Sequence, residues 1–188
     1  MGWLDETIED AAVADACAVA DALAREPVTV IVSSPLRRAI DTAGPLADRL
    51  GLGIVLDDRF GELRVGGWEA LTEDEIAQRW PEHWATWRSE PHRLEVDGRE
   101  TLAALNSRVC EALDELAASA GGAAVVFTHD AVARAAIAWA LHTGPEIYRH
   151  VEVDNCSITT VRVVDGVRRL VRSNVVAHLR GPAVEDHA

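Results

Sequence analysis

"AAVVFTHDAVARAAIAWAL", residues 123–141, changes its periodicity halfway through. Ala123 to Phe127 is short, apolar and partly β-branched, as a buried strand is. From Asp130 onward the apolar residues recur at helical spacing. His129 stands on the hinge between the two. A histidine there is either a catalytic group at the carboxyl-terminal edge of a sheet or an ordinary residue at a helix start.

The same switch occurs earlier. "VTVIVSS" (28–34) is an apolar, β-branched strand, and Pro35 then opens a helix through "LRRAIDTAGPLADRL". Gly44-Pro45 is expected to bend or restart that helix. "GIVLDD" (53–58) reads as a second strand and "AAVADACAVADALA" (11–24) as a well-buried helix. "RFGELRVGGWEALT" (59–72) is a glycine-rich loop, after which Thr72 and Glu75 form a capping box. The Trp-rich stretch 81–100 reads as an insertion. "TLAALNSRVCEALDELAAS" (101–119) is an amphipathic helix ended by Gly121-Gly122. "CSITTVRVVDGVRRLVRSNV" (156–175) predicts a β-hairpin turning at Asp165-Gly166, at a sheet edge. Strands that alternate with helices make an α/β fold with a mostly parallel sheet. No repeat, linker or low-complexity segment divides residues 1–188, so a single domain is expected.

Bulk composition narrows the function. A net charge of −13 argues against nucleic-acid and anionic-membrane partners, which need a surplus of cations. A pocket sets its own local field, so an anionic small molecule stays open as a ligand. Cys17, Cys110 and Cys156 are scattered, with no C-x-x-C, which fits reduced thiols in a cytoplasm better than disulfides or a zinc site. No apolar run reaches the ~18–20 residues of a membrane span, and "MGWLDETIED" has no secretory-signal pattern. Neither a metal nor a cofactor is expected.

In open α/β sheets, ligands bind beyond the carboxyl ends of the strands. Three places meet that condition. Ser33 and Ser34 end the first strand, with Arg37 and Arg38 on the next helical turn, where free N–H groups attract phosphate. Glu62 is the best acid in the loop after the second strand, and His129 ends the third. Arginine, carboxylate and histidine on one edge suit phosphoryl chemistry with a general acid. Each residue alone also fits a plain role: a solvated arginine pair, an exposed loop glutamate, a helix-start histidine.

"SSPLRRAIDTA" (33–43), then "GELRVGGWEALT" (61–72), then "VVFTHDAVARA" (125–135) resembles the histidine phosphatase superfamily, the phosphoglycerate-mutase-like proteins. "GWLD" at 2–5, "NCSITTV" (155–161) and "NVVAHL" (174–179) are similar to further family segments, so the likeness runs over about residues 2–180. The resemblance implies a three-layer α/β/α fold and a small phosphorylated metabolite as substrate, hydrolysed or transferred, and it admits a homodimer. By motif, Arg38 resembles the phosphate-clamping arginine, Glu62 the general acid, and His129 the second histidine that stabilises the transferring phosphoryl group. Arg37 and Ser34 belong with the phosphate-binding segment. The family's insertion lines its substrate pocket, which here would be Trp80, Trp84, Trp87 and His83; packing on one helical face is the other reading of those tryptophans. Asp130 follows His129 where relatives often carry glycine, so its carboxylate must point away or cap the helix.

The family's nucleophile sits in an Arg-His-Gly motif at the end of its first strand, upstream of the segment similar to "GWLD". The sequence here begins at Met1, so that strand, its histidine and one arginine are expected to be missing, leaving a sheet with an open edge. His83, His92, His142, His150, His178 and His187 lie in no such motif. Two readings follow: a family enzyme whose N-terminal part lies outside this sequence, or a nucleophile-less homologue repurposed for binding or for non-phosphoryl chemistry.

Overall fold

The computed structural model describes residues Gly2–Leu179. Three parallel strands, β1 (Val28–Ser33), β2 (Ile54–Leu56) and β3 (Ala123–Phe127), form a sheet in the order β2-β1-β3. The register pairs Ser33 with Leu56 on one side and with Phe127 on the other. All three strands therefore end at one level, and the residues that follow them emerge together.

The strands alternate their side chains between two apolar layers, the period-2 signature of a sheet covered on both faces. Ile31 and Phe127 pack with Val19 and Ala20 of α1 (Asp10–Leu23) and with Ala43, Leu46 and Ala47 of α2 (Arg37–Leu50). Val32 and Val126 point the other way. They meet Leu105 and Val109 of α5 (Leu102–Ser119) and Val132 and Ala135 of α6 (Asp130–Leu141). The result is an α/β/α stack. Burying a Val, Leu or Ile side chain is worth roughly 1.5–3 kcal/mol, so these layers hold the strand ends in place.

Local signals explain most boundaries. Thr101 caps α5 by accepting from the Ala104 N–H, and Thr72 and Glu75 complete their capping box on α3 (Glu73–Arg79). Gly51 ends α2 at φ +64°, a left-handed cap that costs glycine little. Asp165 and Gly166, both at positive φ, turn the hairpin of β4 (Ile158–Val164) and β5 (Val167–Val175).

Four expectations are corrected. First, α2 runs unbroken through Gly44-Pro45. Proline removes one backbone hydrogen bond, but Ala43, Leu46 and Ala47 on either side are buried against the sheet and hold the helix together. Second, α1 buries only Ala16, Val19 and Ala20, and Val13 is exposed, so its alanines make a one-sided helix. Third, among the described residues the hairpin forms its own two-stranded sheet and pairs with no parallel strand. It docks instead on α6, with Arg168 over the Trp139 ring at 4.9 Å and 3.6 Å from Asp114. Fourth, Trp80 is no part of one helical face with Trp84 and Trp87; it is the junction between α3 and α4 (Pro81–Ser89). No helix among the described residues is long and apolar enough to cross a membrane.

Candidate active site

The ends of β1 and β3 converge on one hydrogen bond. The Ser34 N–H continues the ladder to the Phe127 carbonyl at 2.9 Å. That places Ser34 Oγ 2.7 Å from His129 Nε2, both residues buried. Ser34 Oγ also accepts the Leu36 N–H at 3.2 Å, just before α2 begins. His129 occupies the N-cap of α6 in extended conformation.

Burial lowers the His129 pKa from 6.5 to about 3, and the positive charges of Arg38 and Arg108 push in the same direction. The imidazole is thus neutral at physiological pH, with one N–H to donate and one lone pair. A buried cation would have repelled its arginine neighbours; a neutral ring tolerates them.

Glu62 shows the opposite response. Burial raises its pKa and the Asp130 charge adds to the rise, while hydrogen bonds from the Leu63 and Ala131 N–H groups and the charge of Arg38 oppose it. One carboxylate oxygen accepts the Leu63 N–H at 2.7 Å. A carboxyl that keeps its proton longer than usual suits a general acid.

The loop carrying Glu62 is pinned from three sides. Thr128, next to His129, donates its hydroxyl to the Phe60 carbonyl at 2.7 Å. The Trp3 indole N–H donates to the Glu62 carbonyl, and Arg64 lies over that indole at 3.9 Å. Arg108 of α5 donates to the carbonyls of Arg59 (2.6 Å), Gly61 (2.9 Å) and Glu62 (3.1 Å). Its other donors bind both oxygens of Glu100, at 2.7 and 2.9 Å. Glu100 in turn accepts from the Arg64 N–H. One arginine–glutamate pair therefore clamps residues 59–64.

Arg38 lies within electrostatic reach of both His129 and Glu62. Its two Nη groups donate to the carbonyls of Leu4 (2.8 Å) and Gly2 (2.9 Å), tying residues 2–4 to the helix start. Arg37 is not brought into this group. Its side chain is 57% exposed and faces Asp41 at 3.4 Å, while its backbone N–H is capped by Asp5 at 2.7 Å. Asp130 accepts from Arg134 Nε at 2.9 Å, one turn along α6, and is close enough for its charge to act on Glu62. His83 lines a depression of about 440 Å³ together with Trp68, Trp80 and Glu95. His142 pairs with Arg168 and His178 with the Cys156 carbonyl. His187 is outside the described residues.

Sequence reasoning singled out Ser34, Arg38, Glu62 and His129 by their places in the segments that follow the strands. It missed Arg108 and Glu100, which lie on and before a helix that reads as merely amphipathic. Trp3, within the segment "GWLD", is partly buried and braces the Glu62 loop.

Comparison with known proteins accords with this geometry. Phosphoserine phosphatase 1 of Hydrogenobacter thermophilus is 29% identical over 188 residues, covering 100% of this chain and 89% of the relative. Glucosyl-3-phosphoglycerate phosphatase of Mycolicibacterium vanbaalenii is 34% identical over 137 residues, 69% of this chain and 60% of the relative. The inorganic-phosphate complex of a mycobacterial glucosyl-3-phosphoglycerate phosphatase superposes with a TM-score of 0.86 at 28% identity, over 96% of this chain and 93% of the other. Bacillus stearothermophilus YhfR shares the fold, with a TM-score of 0.90 at 24% identity over 96% and 90%. The family model for the histidine phosphatase superfamily, branch 1, matches residues 1–176, and the chain belongs to that superfamily.

Proposed function

We propose that this protein is a phosphatase acting on a small phosphorylated metabolite, with the phosphoryl group held at the shared carboxyl end of β1 and β3. The observation that carries the reading is the buried, neutral His129 with Ser34 Oγ 2.7 Å from Nε2. The hydroxyl at that distance fixes the orientation of the ring at the strand end. A neutral imidazole carries one N–H, and a charged phosphoryl oxygen is a stronger acceptor for it than a neutral one.

In this reading His129 donates a hydrogen bond to the phosphoryl oxygens, and Arg38 offsets their charge. Glu62 gives its proton to the departing oxygen of the alcohol as the bond from phosphorus to that oxygen breaks, and water supplies the oxygen that replaces it on phosphorus, so that the net change is hydrolysis to the alcohol and orthophosphate. Arg108 and Thr128 keep the Glu62 loop at a fixed distance from the ring, which is what general acid catalysis demands of its scaffold. The two curated relatives, a phosphoserine phosphatase and a glucosyl-3-phosphoglycerate phosphatase, support phosphomonoesters as the substrate class. The three unpaired cysteines fit a reducing cytoplasm.

The test is the pH dependence of phosphomonoester hydrolysis in the wild type and in Glu62→Gln. General acid catalysis contributes about 10²–10⁴-fold. The variant should lose at least about 100-fold in kcat for substrates with poor leaving groups. It should also lose the alkaline limb of the profile, which reports deprotonation of Glu62. An unchanged profile in the variant removes Glu62 from the role of acid.

A further inference from the structure

The Glu62 loop packs on the start of α6. Leu63 is buried in one cluster with Ala131 and Val132, and Thr128 holds the Phe60 carbonyl at 2.7 Å. The Glu62 carboxyl accepts the Ala131 N–H as well as the Leu63 N–H. Asp130 is the first residue of that same helical turn. Two carboxyl groups therefore share one helix start, where free N–H groups favour negative charge. A second negative charge so close to the first is disfavoured, so the partners of each carboxyl decide which of them carries it.

Those partners differ. Arg134 Nε lies 2.9 and 3.1 Å from the two oxygens of Asp130. Arg134 is itself anchored: Nη1 donates to the carbonyls of Tyr148, at 2.7 Å, and of Val151, and the guanidinium lies 4.8 Å from the Tyr148 ring. The place of the Asp130 charge is thus fixed both from α6 and from the turn Pro145–His150. Glu62 has no arginine in hydrogen-bond contact with its carboxyl among the described residues; Arg38 acts on it through its charge alone. The groups that border the Glu62 loop are Arg38 on α2, His129 at the end of β3, Tyr148 on the turn Pro145–His150, Asp130 and Arg134 on α6, and Arg108 on α5 with its partner Glu100. Burial does most to hold the proton on Glu62. Two N–H groups and Arg38 pull the other way, and the charge of Asp130 opposes them.

We infer that Asp130, fixed by Arg134, is a positioning residue for the general acid: it supplies the negative charge of the first turn of α6 and so leaves the catalytic proton on Glu62. The inference rests on the phosphatase reading above and deepens it, because it names what keeps the acid loaded besides burial. No proton passes through Asp130, which acts on Glu62 by its charge alone. A phosphoryl dianion held beside Arg38 offsets the cation that opposes Asp130, so the balance favours a protonated Glu62 while substrate is bound. The proton then leaves only when the alcohol oxygen takes it.

The experiment follows the Glu62 carboxyl by NMR pH titration of the full chain labelled with carbon-13 glutamate, its resonance assigned by its loss in Glu62→Gln. The pH profile of phosphomonoester hydrolysis is recorded beside it. In Asp130→Asn the Glu62 midpoint should fall by about half a pH unit or more, and the alkaline limb of the profile should move with it. A like charge at close range shifts a carboxyl by about one unit, and water at the half-exposed Asp130 screens part of that. Added salt should narrow the gap between wild type and variant, and Asp130→Glu should recover part of the shift. A merely structural role for Asp130 would lower the rate and leave the midpoint in place. Asp130→Ser, also suited to a helix start, carries the test if the asparagine variant does not fold. An unmoved or raised midpoint, or a gap indifferent to salt, overturns the inference. An alkaline limb that survives in Glu62→Gln overturns the acid reading instead, whatever the midpoint does.

Discussion

Replacing Arg108 with methionine tests the frame around Glu62. Methionine keeps most of the apolar stem and removes the guanidinium, so the loss is polar rather than a cavity. The side chains of Arg108 and Glu100 are 19% and 11% exposed, and both Glu100 oxygens are engaged by this one partner. Removing one member of a buried pair costs about 3–5 kcal/mol, because the other charge stays behind unpaired. The carbonyls of Arg59, Gly61 and Glu62 lose their donor as well, though water reaches a partly open loop and recovers some of that. A loss of about 3 kcal/mol is the expected outcome, read as a lower urea midpoint at unchanged m-value. Adding Glu100→Gln to Arg108→Met removes the stranded charge and should restore roughly 1 kcal/mol or more. For contrast, Arg59 pairs with Glu115 at 2.8 Å, but with side chains 32% and 61% exposed. Glu115→Ala should therefore cost under about 1 kcal/mol. If Arg108→Met costs no more than the surface variant, or if Glu100→Gln deepens the loss, the clamp described here does not hold the loop.

Two further outcomes follow from His129 and its partner. The unfolded imidazole takes up a proton near pH 6.5 and the folded one only near 3, so acid favours the unfolded chain. Denaturation midpoints should fall as pH drops below about 6.5, at up to about 1.4 kcal/mol per pH unit, and His129→Gln should flatten that slope; an equal slope in the variant assigns the acid sensitivity to other groups. Ser34→Ala leaves the His129 ring and the Leu36 N–H without their shared oxygen and should cost about 1–3 kcal/mol, measured by urea denaturation at neutral pH; a neutral effect would mean the hydrogen bond is not maintained in solution.

Much of the site was legible in the sequence, and the reason is local. β-branched runs stop at Ser33 and at Phe127, and each is followed by a helix start, so Ser34, Arg38 and His129 declare their place at a sheet edge without any knowledge of the partners. The capping box at Thr72 and the Asp-Gly turn at 165–166 are local in the same sense. What stayed hidden depends on contacts far apart in the chain. Arg108 reads as one charged residue on an amphipathic helix until its carbonyl partners, 46–49 residues earlier, are brought beside it. Arg99 is one residue of the Trp-rich insertion until Trp68 and Trp87 are brought against its guanidinium. Local propensity at Gly44-Pro45 points to a bend or restart of helix α2, and burial of the flanking Ala43 and Leu46 prevails. The hairpin is legible from its turn, but its separation from the parallel sheet and its docking on α6 through Arg168 and Trp139 are announced by no local pattern.

The central claim is that the joined ends of β1 and β3 form an oxyanion site around a neutral His129. Calorimetric titration with sulfate, an oxyanion that stays a proton-free dianion throughout this pH range, in two buffers that differ in ionisation enthalpy, tests it directly. A bound dianion beside the ring raises the His129 pKa from its low value toward neutrality, so binding should draw protons into the protein below about pH 6.5. Wild type is expected to bind with measurable proton uptake. His129→Gln should bind at least about ten-fold more weakly, with that uptake gone. Binding of equal strength in both proteins, with the same proton uptake, would contradict the account.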